Sequence, residues 1–470
     1  MVDCRLYLNR GNLKFEDITQ KAGVAGHAGW NTGATMADVN GDGFIDIYLC
    51  YSGKGDSLSR RHQLFINQGN GTFKDEAEKY GLALMDYSTQ AAFFDYDLDG
   101  DLDVFMLNHS PETMRRFDAA DQKSMRDHYI GDKLLRNDNE HFTDVSEQAN
   151  IKGNPINFGL GVAVSDFNND GWPDFYVSND YLEQDYFYIN NGNGTFTDKL
   201  TDAIGHVSYF SMGNDAADFN NDGLIDLMTL DMLPPDNLRQ KLLFAPENYE
   251  FYQNMVKKQF YHQQMRNMLQ MNNGDGTFSE IGQYAGVSNT DWSWGPLFAD
   301  LDNDGLKDLL VASGYPRDLI SMEFQKFYAD ERMKANQGEK NEKILQMLQQ
   351  VPSTPVQSFM FRNNGDFTFT DMAKQWGFGE KTFTNGLVCA DLDNDGDLDV
   401  VVNRLNNLSA IYQNNEKHSH YLDVQLINRN SANRFGIGAR VILSAGGKKQ
   451  VQEFYPTRGF QSAMHTPLHF

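Results

Sequence analysis

Cysteine is scarce in this 470-residue chain. Cys4, Cys50 and Cys389 are the whole complement, with no close pairing and no zinc-ligand spacing, which excludes a disulfide framework. Cys50 and Cys389 fall in apolar strand-like runs and read as small core residues. No apolar run reaches the roughly 18 residues that a transmembrane helix needs. The start, Met1-Val-Asp-Cys4, has no basic n-region, apolar h-region or lipobox-like approach to the cysteine. Positive charge is also in short supply: 40 Lys and Arg face 65 Asp and Glu, a formal net charge of −25 that disfavours nucleic-acid binding. A nucleophile elbow, an HExxH, a phosphate loop and a close His/Cys set are all missing.

What is present is a pattern, D-x-[DN]-x-D-G-x-x-D, six times over. The oxygen-bearing residues at loop positions 1, 3, 5 and 9 are Asp38, Asn40, Asp42 and Asp46; Asp95, Asp97, Asp99 and Asp103; Asp166, Asn168, Asp170 and Asp174; Asp218, Asn220, Asp222 and Asp226; Asp300, Asp302, Asp304 and Asp308; and Asp391, Asp393, Asp395 and Asp399. Position 6 is always glycine. Position 7 (Phe44, Asp101, Trp172, Leu224, Leu306, Asp397) would offer a backbone carbonyl. A hard cation such as Ca²⁺ takes six to eight oxygens, and a loop with ligands at alternate positions and a glycine at the sharp turn can wrap one. A single copy would be no better than an Asp-Gly turn; six copies at fixed spacing point to about six calcium ions. The flanks, such as Ile47-Tyr-Leu-Cys50 and Val400-Val-Val402, are strand-like, so each loop is expected at a hairpin tip rather than in an EF-hand. The loops hold 23 aspartates against a net excess of 25 acidic residues, so the excess of acid lies largely where metal would sit.

A second unit alternates with the loops: Asn9 to Phe15, Asn67 to Phe73, Asn190 to Phe196, Asn272 to Phe278 and Asn363 to Phe369, with a shortened form at Asn137 to Phe142 and a partial one at Ala410 to Asn414. Asn/Gly turn chemistry between β-type flanks makes each a hairpin. From turn Phe to the next loop Asp the distance is always 22 to 24 residues, whereas from loop to turn it ranges from 15 to 55. Two hairpins per repeat give four strands, a to d, the unit of a β-propeller blade. Six loop hairpins against seven Asn-type hairpins predict a seven-bladed all-β propeller over 1–417 whose first blade is incomplete, the missing hairpin lying upstream of Met1.

The loops and Asn turns share one face on this topology; the b–c insertions and d–a links share the other. The insertions at 109–133, 231–268 and 318–351 contain helical patterns, with Met322, Phe324, Phe327 and Tyr328, then Ile344, Leu345, Met347 and Leu348, at helical spacing. Eight residues before each loop comes an aromatic (Trp30, Tyr87, Phe158, Phe210, Trp292, Phe383), expected as a wedge between blades. Asp291, Trp294, Tyr315 and Arg317 occur once and depart from the repeat; Trp292, Trp294, Tyr315 and Arg317 are the candidate ligand contacts. Residues 418–470 read as a small β module with no metal loop.

The loops, the Phe158 to Ala163 approach and the Asn272 to Phe278 turn resemble the FG-GAP/VCBS repeats of integrin-α-like propellers. The tail, Asn433 to Val441 and Arg458 to Ser462, resembles an ASPIC/UnbV module that stops early, at Leu468-His-Phe470. The combination is similar to the cartilage-acidic-protein-like family, common in Bacteroidetes envelopes. The resemblance implies a calcium-binding propeller that is extracellular, on the outer membrane surface or periplasmic, and no RGD motif accompanies it. The leading expectation is a non-catalytic adhesion module binding a glycan or protein on the insertion face. The alternative is a polysaccharide lyase or hydrolase using groups such as His109, His206, Asp231, Arg317 and Asp318 on that face. The sequence sets no oligomeric state.

Overall fold

The computed structural model describes residues 4–112, 117–244, 248–334, 346, 349–416 and 420–470. Expectations that fall on Ile344, Leu345, Met347 and Leu348, and on 113–116 of the 109–133 insertion, lie outside the described residues.

Five four-stranded antiparallel sheets follow one another, each in the order a-b-c-d. The first runs Trp30–Ala37, Asp46–Ser52, Gln63–Asn67 and Phe73–Asp75. The third, Gly159–Ser165, Asp174–Asn179, Tyr186–Asn190 and Phe196–Asp198, is typical: its three inner strands are nearly all buried because neighbouring sheets cover both faces. A sixth sheet, Thr384–Ala390, Asp399–Arg404 and Ala410–Tyr412, has three strands. The a strands of successive blades pack on one another from the first blade to the sixth, forming the channel wall. Crowding there explains a recurrent glycine: a Cβ on Gly213 would lie 2.3 Å from Trp294 O. The register of the a–b pair slips near the corresponding glycine in the third, fifth and sixth blades.

The blade count is six, not the seven expected. The extra Asn-type hairpin, Tyr7–Asn9 with Phe15–Asp17, forms a two-stranded sheet of its own and, among the described residues, pairs with no Asp-loop hairpin. Cys4, Leu6 and Ile18 pack against the apolar cluster of the first blade, while Asn9 Nδ2 donates to Leu392 O of the sixth loop at 2.7 Å. Counting hairpins counted this one as half a blade.

The longer helices sit in the b–c insertions: Asn237–Leu243 and Tyr249–Lys257 in the fourth blade, capped by Asp236 and Asn248, and Met322–Lys334 in the fifth; one-turn helices at Thr19–Ala22, Ala77–Tyr80, Leu200–Ala203 and Gly282–Ala285 lie in the d–a links. The C-terminal residues contribute two short hairpin-like pairs, Asp423–Val424 with Leu468–His469 and Arg440–Ala445 with Lys448–Glu453. Ile437, Phe454, Tyr455, Leu468 and Phe470 belong to the same buried apolar cluster as the first three blades. No described helix is long and apolar enough to cross a membrane.

Candidate metal centres and the two faces of the disc

Each nine-residue loop closes on itself through its first aspartate. In the third loop Asp166 accepts the amides of Asp170 (3.0 Å) and Gly171 (2.9 Å), and Asp170 accepts that of Trp172 (2.9 Å). The other loops share the position-6 contact, from Gly43 (2.8 Å) to Gly396 (3.0 Å). Gly171 has φ +88°, a conformation in which a side chain would be strained, and all six position-6 glycines share it.

The ninth residue has a second occupation. Asp174 Oδ2 accepts the Phe167 amide at 3.1 Å, and Oδ1 accepts that of Asn190, the turn asparagine, at 2.8 Å. The same double contact recurs at Asp46, Asp103, Asp226, Asp308 and Asp399. Asn190 Nδ2 then reaches the preceding blade's loop at Tyr96 O (2.8 Å), and Asn272, Asn363 and Asn414 do the same to Phe167, Phe219 and Leu301. Metal loop and Asn turn are therefore one network, joining neighbouring blades. Sequence reasoning treated them as separate units; their near-constant alternation was the available signal.

Electrostatically the loops are strained without a counter-charge. Burial, reinforced by neighbouring carboxylates, pushes Asp38, Asp95 and Asp218 up to about 6, Asp46 and Asp101 to about 7, Asp174 to about 8 and Asp103 to about 9. Buried carboxylate oxygens of Asp95, Asp97, Asp101, Asp393 and Asp397 lack a hydrogen-bond donor. In the second, fifth and sixth loops three carboxylate oxygens converge within 4.8 Å. Acidic and oxygen-lined, these sites fit a hard divalent cation. Positions 1, 3 and 5 would hold it, with the position-7 carbonyl and one lone pair of the position-9 aspartate.

This face is covered. The C-terminal segment touches every loop at position 4 or 6. Arg434 Nε donates to Gly41 O (2.8 Å), the Asn433 amide to Gly100 O (2.9 Å), and Arg440 to Asn169 and Gly223 O. Gln450 lies against Gly305, the Tyr421 ring against Gly396, and His469 Nε2 meets Asn303 Oδ1 at 2.8 Å. From there residues 457–464 descend along the channel. Arg458 forks onto Asp215 (2.8 and 2.5 Å) on the fourth blade's a strand and donates to Phe298 O (2.8 Å). Thr457 donates to Ala91 O (3.2 Å), Gln90 Nε2 to Ser462 O (3.2 Å), and Phe460 packs on Trp294 with ring centroids 5.0 Å apart. A cavity of about 90 Å³, lined by Asp218, Asp300, Lys307, Glu453 and Arg458 among others, remains under the cap.

Among the described residues, no segment roofs the opposite face as the C-terminal residues roof the loops. Trp292 and Tyr315 stack on each other at 4.3 Å, with Trp294 beside both, and the buried Trp292 Nε1 has no acceptor. Arg317 is exposed and donates to Val351 O (3.0 Å). Asp291 and Asp318 clamp Arg239 from the Asn237–Leu243 helix. Of the six repeated aromatics, five are half-buried, such as Tyr87 beneath Arg60 and Phe158 against Tyr181, while Trp30 is 67 % exposed. The polar groups considered for catalysis are brought into separate structural bonds instead of one cleft. His109 is bound to Ser52 Oγ (2.6 Å), and Asp231 accepts Ser208 Oγ and the Tyr209, Phe210 and Met232 amides. His206 lies against Glu280 and Arg266, and Thr354 Oγ1 donates to Asp318 (2.6 Å).

Known proteins share both parts of the chain. The family described as FG-GAP-like repeat matches residues 3–49, 52–106, 166–229, 260–311 and 353–402, and the one described as ASPIC and UnbV matches 429–470. Cartilage acidic protein 1 of Mus musculus is 21% identical over 324 residues, covering 60% of this chain and 48% of that protein. The Xenopus tropicalis protein of the same name is 31% identical over 181 residues, 37% of this chain and 24% of its own. The chain thus spans about half the length of the mouse relative, and less of the frog one. Among solved structures, an Agrocybe aegerita lectin that recognises non-reducing terminal N-acetylglucosamine aligns with TM-score 0.42 and 16% identity, over 88% of this chain and 89% of the lectin.

Proposed function

Because the chain belongs to the FG-GAP-like repeat family and ends in an ASPIC and UnbV module, we propose that it is a calcium-stabilised, non-catalytic binding propeller that presents its insertion face to a glycan or protein. One observation carries this reading: the two faces are treated oppositely. Among the described residues, the loop face is roofed by the C-terminal segment and its channel filled, although Phe44, Leu98 and Phe367 stay exposed there, whereas the insertion face has no such roof and leaves Trp30, Leu238, Leu242, Tyr249, Met322 and Phe327 exposed. Apolar and aromatic groups held out on inserted segments are what a partner surface or a sugar ring packs against. Calcium, about six ions, keeps the disc rigid by neutralising the loops. Loops of modest affinity suit the millimolar calcium found outside the cytoplasm, so the working place is the cell surface, the periplasm or beyond.

The test is binding of the calcium-loaded chain to arrays of immobilised polysaccharides and envelope proteins. Tyr249→Ser with Leu242→Ser is expected to abolish the signal, and Asn193→Ala, at a turn on the loop face, to leave it intact. Loss of binding in the Asn193 variant first would place the ligand on the wrong face for this proposal.

A further inference from the structure

The six loops share one pattern but not one electrostatic environment. In the first, third and fourth, position 3 is an asparagine whose Nδ2 donates to the position-5 carboxylate: Asn40 to Asp42 at 3.0 Å, Asn168 to Asp170 at 2.8 Å, Asn220 to Asp222 at 2.9 Å. Each of these loops carries three carboxylates, and the residue before its turn asparagine is apolar: Ile66, Ile189 or Met271.

Where position 3 is aspartate, that preceding residue is polar: Arg136, Arg362 or Gln413. In the fifth loop Arg362 binds Asp302 at 2.6 Å and Asp304 at 3.0 Å, and the buried Lys307 at position 8 lies near Asp300. Four carboxylates there meet two protein cations. The second loop has five carboxylates, and its Arg136 is bound to Asp138 at 3.0 Å while lying near Asp97. The sixth also has five, Asp391, Asp393, Asp395, Asp397 and Asp399, and its neighbour is the uncharged Gln413, which donates to Asp393 at 2.7 Å.

Position 7 sharpens the contrast. Phe44, Trp172, Leu224 and Leu306 lie over the first glycine of the adjoining Asn turn. The second and sixth repeats lack that glycine and carry Asp101 and Asp397 instead. Asp397 is 2 % exposed, and neither of its oxygens has a hydrogen-bond partner although the Glu416 amide is near; the Asp395 carboxylate abuts it. Asp101 repeats this with a buried, unpartnered Oδ1 beside Asp99. Desolvated carboxylates pressed together without a donor call for a cation.

We infer that the sixth loop, with Asp397 as an added side-chain ligand, is a charge-dense centre that binds a divalent cation more tightly than the other loops. The second loop, through Asp101, ranks next, and the fifth, already neutralised by Arg362 and Lys307, ranks last. The inference rests on the reading of the loops as calcium sites. Ligand charge count is a principal control on calcium affinity, so loss of one carboxylate should weaken a site roughly tenfold.

The experiment is calorimetric titration of the metal-stripped full chain with calcium, repeated with terbium, which exaggerates charge preference. Wild type should show one tight site, one intermediate and a weaker group. Asp397→Asn should weaken the tight site roughly tenfold, Asp101→Asn the intermediate one, and Asp304→Asn neither, whereas Arg362→Gln should tighten the weakest. The metal-free melting temperature of Asp397→Asn should hold or rise, because a repelling charge is gone; a fall would make Asp397 a structural residue and overturn its role as ligand. Six equivalent sites, or an isotherm unchanged by Asp397→Asn, would also overturn the ranking while leaving the calcium reading intact. No calcium uptake by wild type would overturn that reading itself.

Discussion

The two faces of the disc are built from the same repeats yet obey different rules. On the loop face every feature recurs: the position-1 aspartate, the position-6 glycine, the position-9 aspartate riveted to the turn asparagine. Repetition there serves closure, because each loop must meet its neighbour and all six must meet one C-terminal cap. On the insertion face the d–a links repeat an aromatic and, in four of them, a one-turn helix, but the segments between b and c strands differ in length, helix content and exposed residues. Structure is repeated where it bears on stability and varied where nothing covers it. Stability changes should therefore cluster on the loop face and in the channel, and binding changes on the insertion face.

The largest effect should come from the channel. Arg458→Ala leaves Asp215, 2 % exposed, without its guanidinium partner, and breaking such a pair costs about 3–5 kcal/mol. Denaturant unfolding should show that loss; a change under about 1 kcal/mol would mean the plug contributes little to holding the disc. Calcium removal should come next. A site held at a few times its Kd contributes about 1 kcal/mol, so several sites acting together should lower the melting temperature visibly when the ion is chelated. An unchanged melting curve in EGTA would remove the metal reading of the loop face.

A pH titration separates repulsion from packing. Buried loop aspartates whose folded pKa is raised, from Asp38 at about 6 to Asp103 at about 9, hold protons that the unfolded chain has already released near 3.8. The folded state then binds more protons, so stability of the metal-free chain should fall as pH rises from about 5 to about 9. Calcium should flatten that slope, as a metal-bound carboxylate no longer needs its proton. A metal-free chain equally stable at pH 5 and pH 8 would show that the loops relax open instead. The smallest effect is expected from Trp30→Ala: at an exposed site the stability change should stay within about 0.5 kcal/mol, measured by the same unfolding. A large loss would make Trp30 a wedge like its five counterparts.

The loops were legible in the sequence because their geometry is local. Asp166, Gly171 and Trp172 interact within a few residues, and Asx-type bonds need nothing from elsewhere. Hairpin order followed from spacing for the same reason. The blade count did not, because whether Tyr7–Asn9 and Phe15–Asp17 join another hairpin is decided across the ring, at Asn9 and Leu392, 383 residues apart.

By itself, the sequence determined the repeated unit: a nine-residue anionic loop at a hairpin tip, an Asn turn, and a chain whose excess of acid lies largely where a cation would sit. Only the tertiary structure decided which loop charges are neutralised and which are buried without a donor. Arg362 reaches Asp302 from 60 residues away and quenches part of the fifth loop's charge, while Asp397 is left buried and unpartnered. Arg458 meets Asp215 over a separation of 243 residues and turns a tail into a plug. Charge balance and burial depend on which distant groups the fold brings within a few ångströms, and no local pattern encodes those distances.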